Sequence, residues 1–486
     1  MSKISEVTQK MTNYRWTIVG MLFFATTINY LDRQVLSLTW KDFIAPEFHW
    51  TNDDYGTITS LFSLFYAIGM LFAGRFIDWL DTKKGFLWAI FIWSIGAILH
   101  AFAGIATSGI VAGEWFVGFE GAKDAIALTN NIGRVMNVSV VIFVFARFVL
   151  AIGEAGNFPA AIKTTAEYFP KKDRAYATSI FNAGATVGAL ASPVIIPLIA
   201  ERYGWEMSFI IIGGLGFIWM GFWLFVYQKP EVHPKVNAAE LEYIQQDLKA
   251  ETALNPNANT ANEKKLKFVQ LLKYKQTWAF AFGKFMTDGV WWFYLFWTPS
   301  YLSSVYGLKS SDPQSQIALF VLYAITLLSI IGGWLPSYFV KKGMNPYAGR
   351  MKSMLIFAFF PLLALVAQPL GHISYWLPVI IIGIAGAAHQ AWSANIFSTV
   401  GDMFPRTAIA TITGIGGLAG GLGSVIINKS SGVLFDFAGN TQMVFMGFKG
   451  EEAGYFIVFS FCAVAYLIGW GVMKLLVPTY KPIVTD

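Results

Sequence analysis

The chain of 486 residues is 55% hydrophobic and 13% charged, with a mean hydropathy of +0.52, which excludes an ordinary water-soluble domain. Its net charge of +6 does not signal nucleic-acid binding, because Lys and Arg collect in alternate loops between apolar stretches. The single cysteine, Cys462, excludes an internal disulfide.

The opening run MSKISEVTQKMTNYRW has no cleavable signal pattern. Twelve apolar stretches then follow, each close to the roughly 20 residues that cross a bilayer as a helix. They are expected near 15–36, 56–78, 86–106, 138–161, 175–199, 206–227, 277–302, 316–339, 352–368, 374–398, 408–428 and 453–476. Regular two-residue alternation is absent, so helices and not a membrane barrel are predicted.

The first span contains TTINYLDRQVLSL, in which Asn29, Tyr30, Asp32 and Arg33 replace the expected aliphatics. A charge at mid-membrane costs at least about 2.5–3.5 kcal/mol, so it is expected to face protein or water. Snorkelling at the membrane edge is the plain alternative, but Asn29 and Tyr30 extend the polar stripe inward. In the second span Tyr66 fits the same cavity. The loop after it, GRFIDWLDTKKG, is basic.

Between the third and fourth spans lies TSGIVAGEWFVGFEGAKDAIALTNNIGRVMNVS, longer by about 23 residues than its counterpart in the second half of the chain. The fourth span, VFARFVLAIGEAGNFPAAIK, sets Arg147 and Glu154 two turns apart on one face. A structural salt bridge is one reading. The other uses two arginines to attract an anion, binding a carboxylate through parallel hydrogen bonds, and the carboxylates Asp32 and Glu154 to take up protons.

After the sixth span the composition turns polar from Lys229 to Lys275. NAAELEYIQQDLKAE has helical spacing and is expected at the membrane surface, and NPNANTANE reads as a flexible linker. The chain thus divides into an N-terminal six-helix bundle (1–228), a cytoplasmic linker (229–275) and a C-terminal six-helix bundle (276–486). An internal repeat supports this division. Gly74, Lys83, Lys84 and Gly85 recur as Gly332, Lys341, Lys342 and Gly343, and EYFPKKDRA is echoed by DMFPRTAIA. Two similar bundles rocking about a midplane cavity are the usual alternating-access architecture. The basic loops place both termini and the linker in the cytoplasm.

In the seventh span Lys284 and Asp288 lie four residues apart, as a local pair or a gate, and Trp291, Trp292 and Tyr294 follow well inside it. The tenth contains AHQAWSANIFSTVGDMFP, where Gln390, Trp392, Ser393 and Asn395 bring amides, a hydroxyl and an aromatic face to mid-membrane. These suit a small polyhydroxylated molecule, with helix-to-helix hydrogen bonding as the alternative. NAGATVGALASP and TGIGGLAGGLG sit within apolar helices and read as close packing rather than nucleotide loops. Histidine spacing gives no metal site, and no phosphate-loop or hydrolase motif is found. Neither cofactor nor enzymatic activity is expected.

INYLDRQVLS, GEAGNFPAAIKTTAEYFP, DGVWWFYLFWTPSYL and HQAWSANIFSTVGDMFPRTAIATITGIGGLAGGLG resemble the anion:cation symporter branch of the major facilitator superfamily, and within it the bacterial hexuronate transporters. The resemblance implies an all-α membrane protein of the major facilitator fold, with 12 transmembrane helices in two six-helix bundles. It further implies a monomer in the inner membrane that imports a sugar-acid anion with protons. Arg33 and Arg147 correspond to substrate-carboxylate and gating arginines, and Asp32 and Glu154 to proton-linked acids. Tyr66, Gln390, Trp392, Ser393 and Asn395 correspond to sugar-contacting positions, and Trp291 joins them as a substrate-binding candidate. The loop after the second span keeps Gly74, Asp78, Lys83 and Lys84 of the family pattern but carries Trp79 and Asp81 between them. Aldonates, aldarates and a non-transporting sensor remain open alternatives.

Overall fold

A computed structural model describes residues 10–254 and 268–483. The stretch NPNANTANE, read as a linker, lies outside the described residues. Described helices in chain order are α1 Arg15–Thr39, α2 Asn52–Leu80, α3 Thr82–Ala101, α4 Ala103–Ala112, α5 Phe119–Ala127, α6 Ile132–Tyr168, α7 Lys171–Tyr203, α8 Trp205–Val226 and α9 Ala238–Leu254. They continue as α10 Lys275–Tyr306, α11 Pro313–Lys341, α12 Pro346–Gly371, α13 Trp376–Met403, α14 Arg406–Thr441 and α15 Glu451–Leu476. A two-residue antiparallel ladder, Val444–Phe445 with Phe448–Lys449, joins α14 to α15.

Ten of these helices are long and apolar enough, by length and composition, to cross a membrane. The other two long helices, α1 and α10, are less apolar, carrying Asn29, Asp32 and Arg33 on α1 and Lys284, Asp288 and a run of Trp, Tyr, Thr and Ser on α10. Their polarity reflects the groups buried between their neighbours, as the cost of exposing charge to hydrocarbon demands.

Small residues bring the helices together. A Cβ on Gly96 would lie 2.3 Å from the Leu150 nitrogen, and one on Gly153 would lie 2.3 Å from the Trp93 nitrogen, so α3 and α6 pack backbone to backbone. The glycine-rich runs of α7 and α14 act alike. Gly184 faces the Phe23 carbonyl of α1, and Gly423 faces the Phe285 carbonyl of α10.

At the face opposite the described termini, the two halves are fastened by polar contacts. Asp436 of α14 accepts from the Asn52 and Asp53 backbone N–H groups at 2.9 and 2.7 Å, capping α2 from the other half. Asp42 accepts from the Ser303 hydroxyl (2.6 Å) and from the Ser310 backbone N–H (2.7 Å) and hydroxyl (2.9 Å). Beneath them Trp40 stacks on Tyr55 at 4.1 Å, and the Tyr55 hydroxyl donates to the Phe296 carbonyl at 2.9 Å. These cross-half contacts close the structure at that face.

The termini-bearing face of the first half has its own clasp. Glu240 of α9 is fully buried and accepts from the Tyr14 and Arg15 backbone N–H groups at 2.9 and 3.1 Å, from the Thr12 hydroxyl at 2.5 Å and from the Arg15 guanidinium at 3.0 Å. The carboxylate thus caps the start of α1. The repeat motifs also have parallel local uses. Glu167 accepts from Thr82 (2.5 Å) and Tyr227, and its counterpart Asp402 accepts from Arg350 (2.7 Å).

Candidate binding site

Closely packed α3 and α6 present Arg147 and Glu154 toward α1, which carries Asn29, Tyr30, Asp32 and Arg33. Arg33 is 3% exposed and does not snorkel. Its Nε and Nη2 donate to one oxygen of Glu154, Oε2, at 3.0 and 2.6 Å. Glu154 thus pairs with Arg33 across 121 residues of sequence rather than with Arg147 two turns away on its own helix.

Around Arg33 stand aromatic rings. Its guanidinium carbon lies 4.8 Å from the ring centre of Tyr66, 5.1 Å from that of Tyr30 and 4.8 Å from that of Trp292. Trp292 comes from α10 in the second half. Such contacts contribute about 0.5–2 kcal/mol, with the larger values for desolvated cations.

Arg147 is 2% exposed, with its guanidinium 5.0 Å from the ring centre of Phe62. Its Nε and Nη1 have no hydrogen-bond partner, nor do both oxygens of Asp32, Oε1 of Glu154 and the amides of Asn29 and Asn157. Asp32 lies within electrostatic reach of Glu154 and Arg147, and the Trp93 indole nitrogen is likewise buried without a partner. Each buried polar group left without a partner costs about 1–3 kcal/mol, and more when charged. This concentration is therefore an expensive feature that packing alone would not retain. Chemically, it combines a cation with unmet donors and two carboxylates able to exchange protons.

In the second half Trp291 stacks on His389, with ring centres 5.4 Å apart and planes 3° apart. His389 Nδ1 pairs with the Tyr466 hydroxyl at 2.8 Å. Gln390 and Ser393 are half-buried. Asn395 donates to the Gly332 and Ala391 carbonyls, both at 2.8 Å, joining α13 to α11. Trp392 is fully buried against Tyr466. Lys284 and Asp288 form an ion pair at 2.6 Å.

The structure therefore gathers Asp32, Arg33, Tyr66, Arg147 and Glu154 into one cluster, while Trp392 and Asn395 are engaged in helix packing. His389 and Asn157 are not among the candidates read from the sequence, and Trp292 is noted there only as an aromatic inside the seventh span. His389 adjoins Gln390 in the AHQAW run, and Asn157 follows Glu154 by three residues, a spacing that keeps both on one helix face.

Comparison with known proteins places these features in context. A family model described as Major Facilitator Superfamily matches residues 22–427. A hexuronate transporter of Escherichia coli (strain K12) is 27% identical over 436 residues, covering 89% of this chain and 90% of that protein. A probable galactarate/D-glucarate transporter, GudP, from the same organism is 30% identical over 346 residues, covering 69% of each chain. Among solved structures, an inward-facing, unoccupied bacterial homologue of the human lysosomal transporter Spinster aligns with a TM-score of 0.66. It is 18% identical, with 96% of this chain and 98% of that one covered.

Proposed function

The chain belongs to the Major Facilitator Superfamily, and from that premise we propose that it is a proton-coupled symporter importing a hexuronate such as glucuronate or galacturonate by alternating access. In this reading the protein is a monomer in the inner membrane, not an enzyme, with both termini cytoplasmic. Residues 1–228 and 276–486 are the rocking bundles and 229–275 the cytoplasmic linker. The closed face is then the outer one, so the conformation opens inward.

The observation that carries the reading is Arg147, a buried guanidinium with Nε and Nη1 unpaired, beside a second arginine committed to Glu154. Arg147 attracts the substrate carboxylate and offers it parallel donors. Protonation of Glu154 removes the charge that holds Arg33, whose donors then turn to the same carboxylate. Asp32 serves as a second proton-exchanging acid. Return of both arginines to the protein carboxylates releases the anion and the protons on the inner side. Tyr66 and Trp291 supply faces for the sugar ring, and Gln390 and Ser393 supply groups for its hydroxyls. Trp392 and Asn395 belong to the wall that presents them.

Charge matching favours one carboxylate per substrate. In the second half Lys284 is committed to Asp288, so an aldarate with two carboxylates would have to break that pair. The relatives include a protein named for each class. The test is uptake into proteoliposomes with a competition panel of glucuronate, galacturonate, gluconate and galactarate. Uronates are expected to compete best, and Arg147→Ala is expected to abolish uptake with expression retained. Normal uptake by Arg147→Ala overturns the binding role, equal competition by galactarate overturns the substrate class, and absence of uptake by the natural chain favours the sensor.

A further inference from the structure

The ring that Trp292 lays over Arg33 belongs to the opposite half of the molecule. Arg33, Tyr30 and Tyr66 lie on α1 and α2, whereas Trp292 lies on α10. The indole is 4.8 Å from the guanidinium, 5.9 Å from the Tyr66 ring and 5.2 Å from the Phe296 ring, whose backbone carbonyl receives the Tyr55 hydroxyl of the closed face. It therefore stands between the buried ion pair and the contacts that close that face.

A guanidinium attracts a ring through the ring's quadrupole, so the attraction depends on where the cation sits and what shares its charge. Glu154 fixes Arg33 in its present position with two hydrogen bonds. Any exchange of Arg33's partner changes the footing of Trp292, and any displacement of α10 draws the ring off the cation. We propose that Trp292 is a positioning residue that links movement of the second half to the pairing state of Arg33, so that coupling, more than substrate affinity, depends on its aromatic face. This rests on the transport reading above. A simple filler of the same volume would depend on size and not on the π-face.

The test has two arms. The first needs no transport. The full chain, labelled with fluorotryptophan, is studied by fluorine NMR, the Trp292 resonance being assigned by its loss in Trp292→Phe. Glu154→Gln and Arg33→Lys are expected to shift it while the Trp223 resonance stays in place. A Trp292 resonance unmoved in both variants overturns the proposal. The second arm compares Trp292→Phe with Trp292→Leu in proteoliposomes. Trp292→Leu is expected to lower pH-gradient-driven accumulation about tenfold relative to exchange, and Trp292→Phe to stay within about threefold of the natural chain. Equal accumulation-to-exchange ratios for Phe and Leu overturn the proposal. A natural chain that moves no uronate sinks the transport reading alone, and the NMR arm still decides this one.

Discussion

Arg33 gives two hydrogen bonds to a single oxygen of Glu154, at 3.0 and 2.6 Å, and the other oxygen of that carboxylate has no partner. Both residues are buried, so the pair is a conditional stabiliser. Removing one member strands a buried charge at a cost of about 3–5 kcal/mol, whereas removing both avoids that penalty. Arg33→Ala is expected to lower the melting temperature of the purified protein strongly, and the double variant Arg33→Ala, Glu154→Gln to recover most of the loss. Additive effects in this cycle would mean that the two groups do not interact in solution. In vesicles, Glu154→Gln alone is expected to retain substrate exchange and lose proton-driven accumulation.

Asp436 closes one face by capping a helix of the opposite half. Its carboxylate accepts from two backbone N–H groups of α2 and from the Asn52 amide at 2.9 Å. Hydrogen bonds to a charged group contribute about 1.5–3 kcal/mol each, and Asp436→Asn keeps the shape while removing the charge. A cysteine reporter at Ser63→Cys, in a Cys462→Ser background, lies beneath this cap where Ser63 meets Ser424 at 2.9 Å. Its labelling by an impermeant thiol reagent is expected to rise about tenfold in Asp436→Asn, a shift of about 1.4 kcal/mol. Unchanged labelling would remove Asp436 from the gate.

These contacts mark the boundary of what the sequence disclosed. Asp32, Arg33, Arg147 and Glu154 were conspicuous because the cost of charge in hydrocarbon makes each one a signal by itself. Their pairing was not legible, because helical periodicity relates Glu154 to Arg147 on one helix, and only the packing of α1 against α6 brings Arg33 to it. Trp292 has the same ambiguity. An aromatic residue inside a span reads equally as belt, core or cage until the neighbouring helix is placed. For α9 the sequence goes no further than a helix expected at the membrane surface, since nothing in its spacing shows that Glu240 reaches the start of a helix 225 residues away.

That contact makes the clasp sensitive to acid. Burial raises the Glu240 carboxyl, but hydrogen bonds from Thr12, Arg15 and Tyr14 outweigh it, and the net shift is downward from 4.5. A carboxylate with a depressed folded value adds stability above its unfolded value and loses it as pH falls through the folded one. Hydrogen exchange at the Tyr14 and Arg15 amides is therefore expected to accelerate as pH drops below about 4.5, after correction for intrinsic rates. Glu240→Gln should remove that dependence and cost about 1–2 kcal/mol of capping at neutral pH. An unchanged acid response in Glu240→Gln would assign it elsewhere.

Glu47 carries the opposite sign at the other face. Burial pushes its carboxyl up to about 7, against the hydrogen bond from Trp205, while Glu206 and Glu120 raise it and Lys123 lowers it. The Trp205 indole donates to Oε2 at 2.8 Å and Oε1 is unpartnered beside Gly104. Lys123 of α5 reaches Glu206 at 3.3 Å and Glu120 at 3.0 Å, fixing the inserted segment over α8. Because the folded value lies above the unfolded one, the native state holds the proton more tightly. Stability from this group is full at low pH and falls as pH rises from about 4.5 to about 7, by up to about 3 kcal/mol. Protection of α4 and α5 against hydrogen exchange is thus expected to decline across that window, and Glu47→Gln, a permanent mimic of the protonated form, to flatten it. A decline of equal slope in Glu47→Gln would show that the inserted segment docks without regard to this carboxyl.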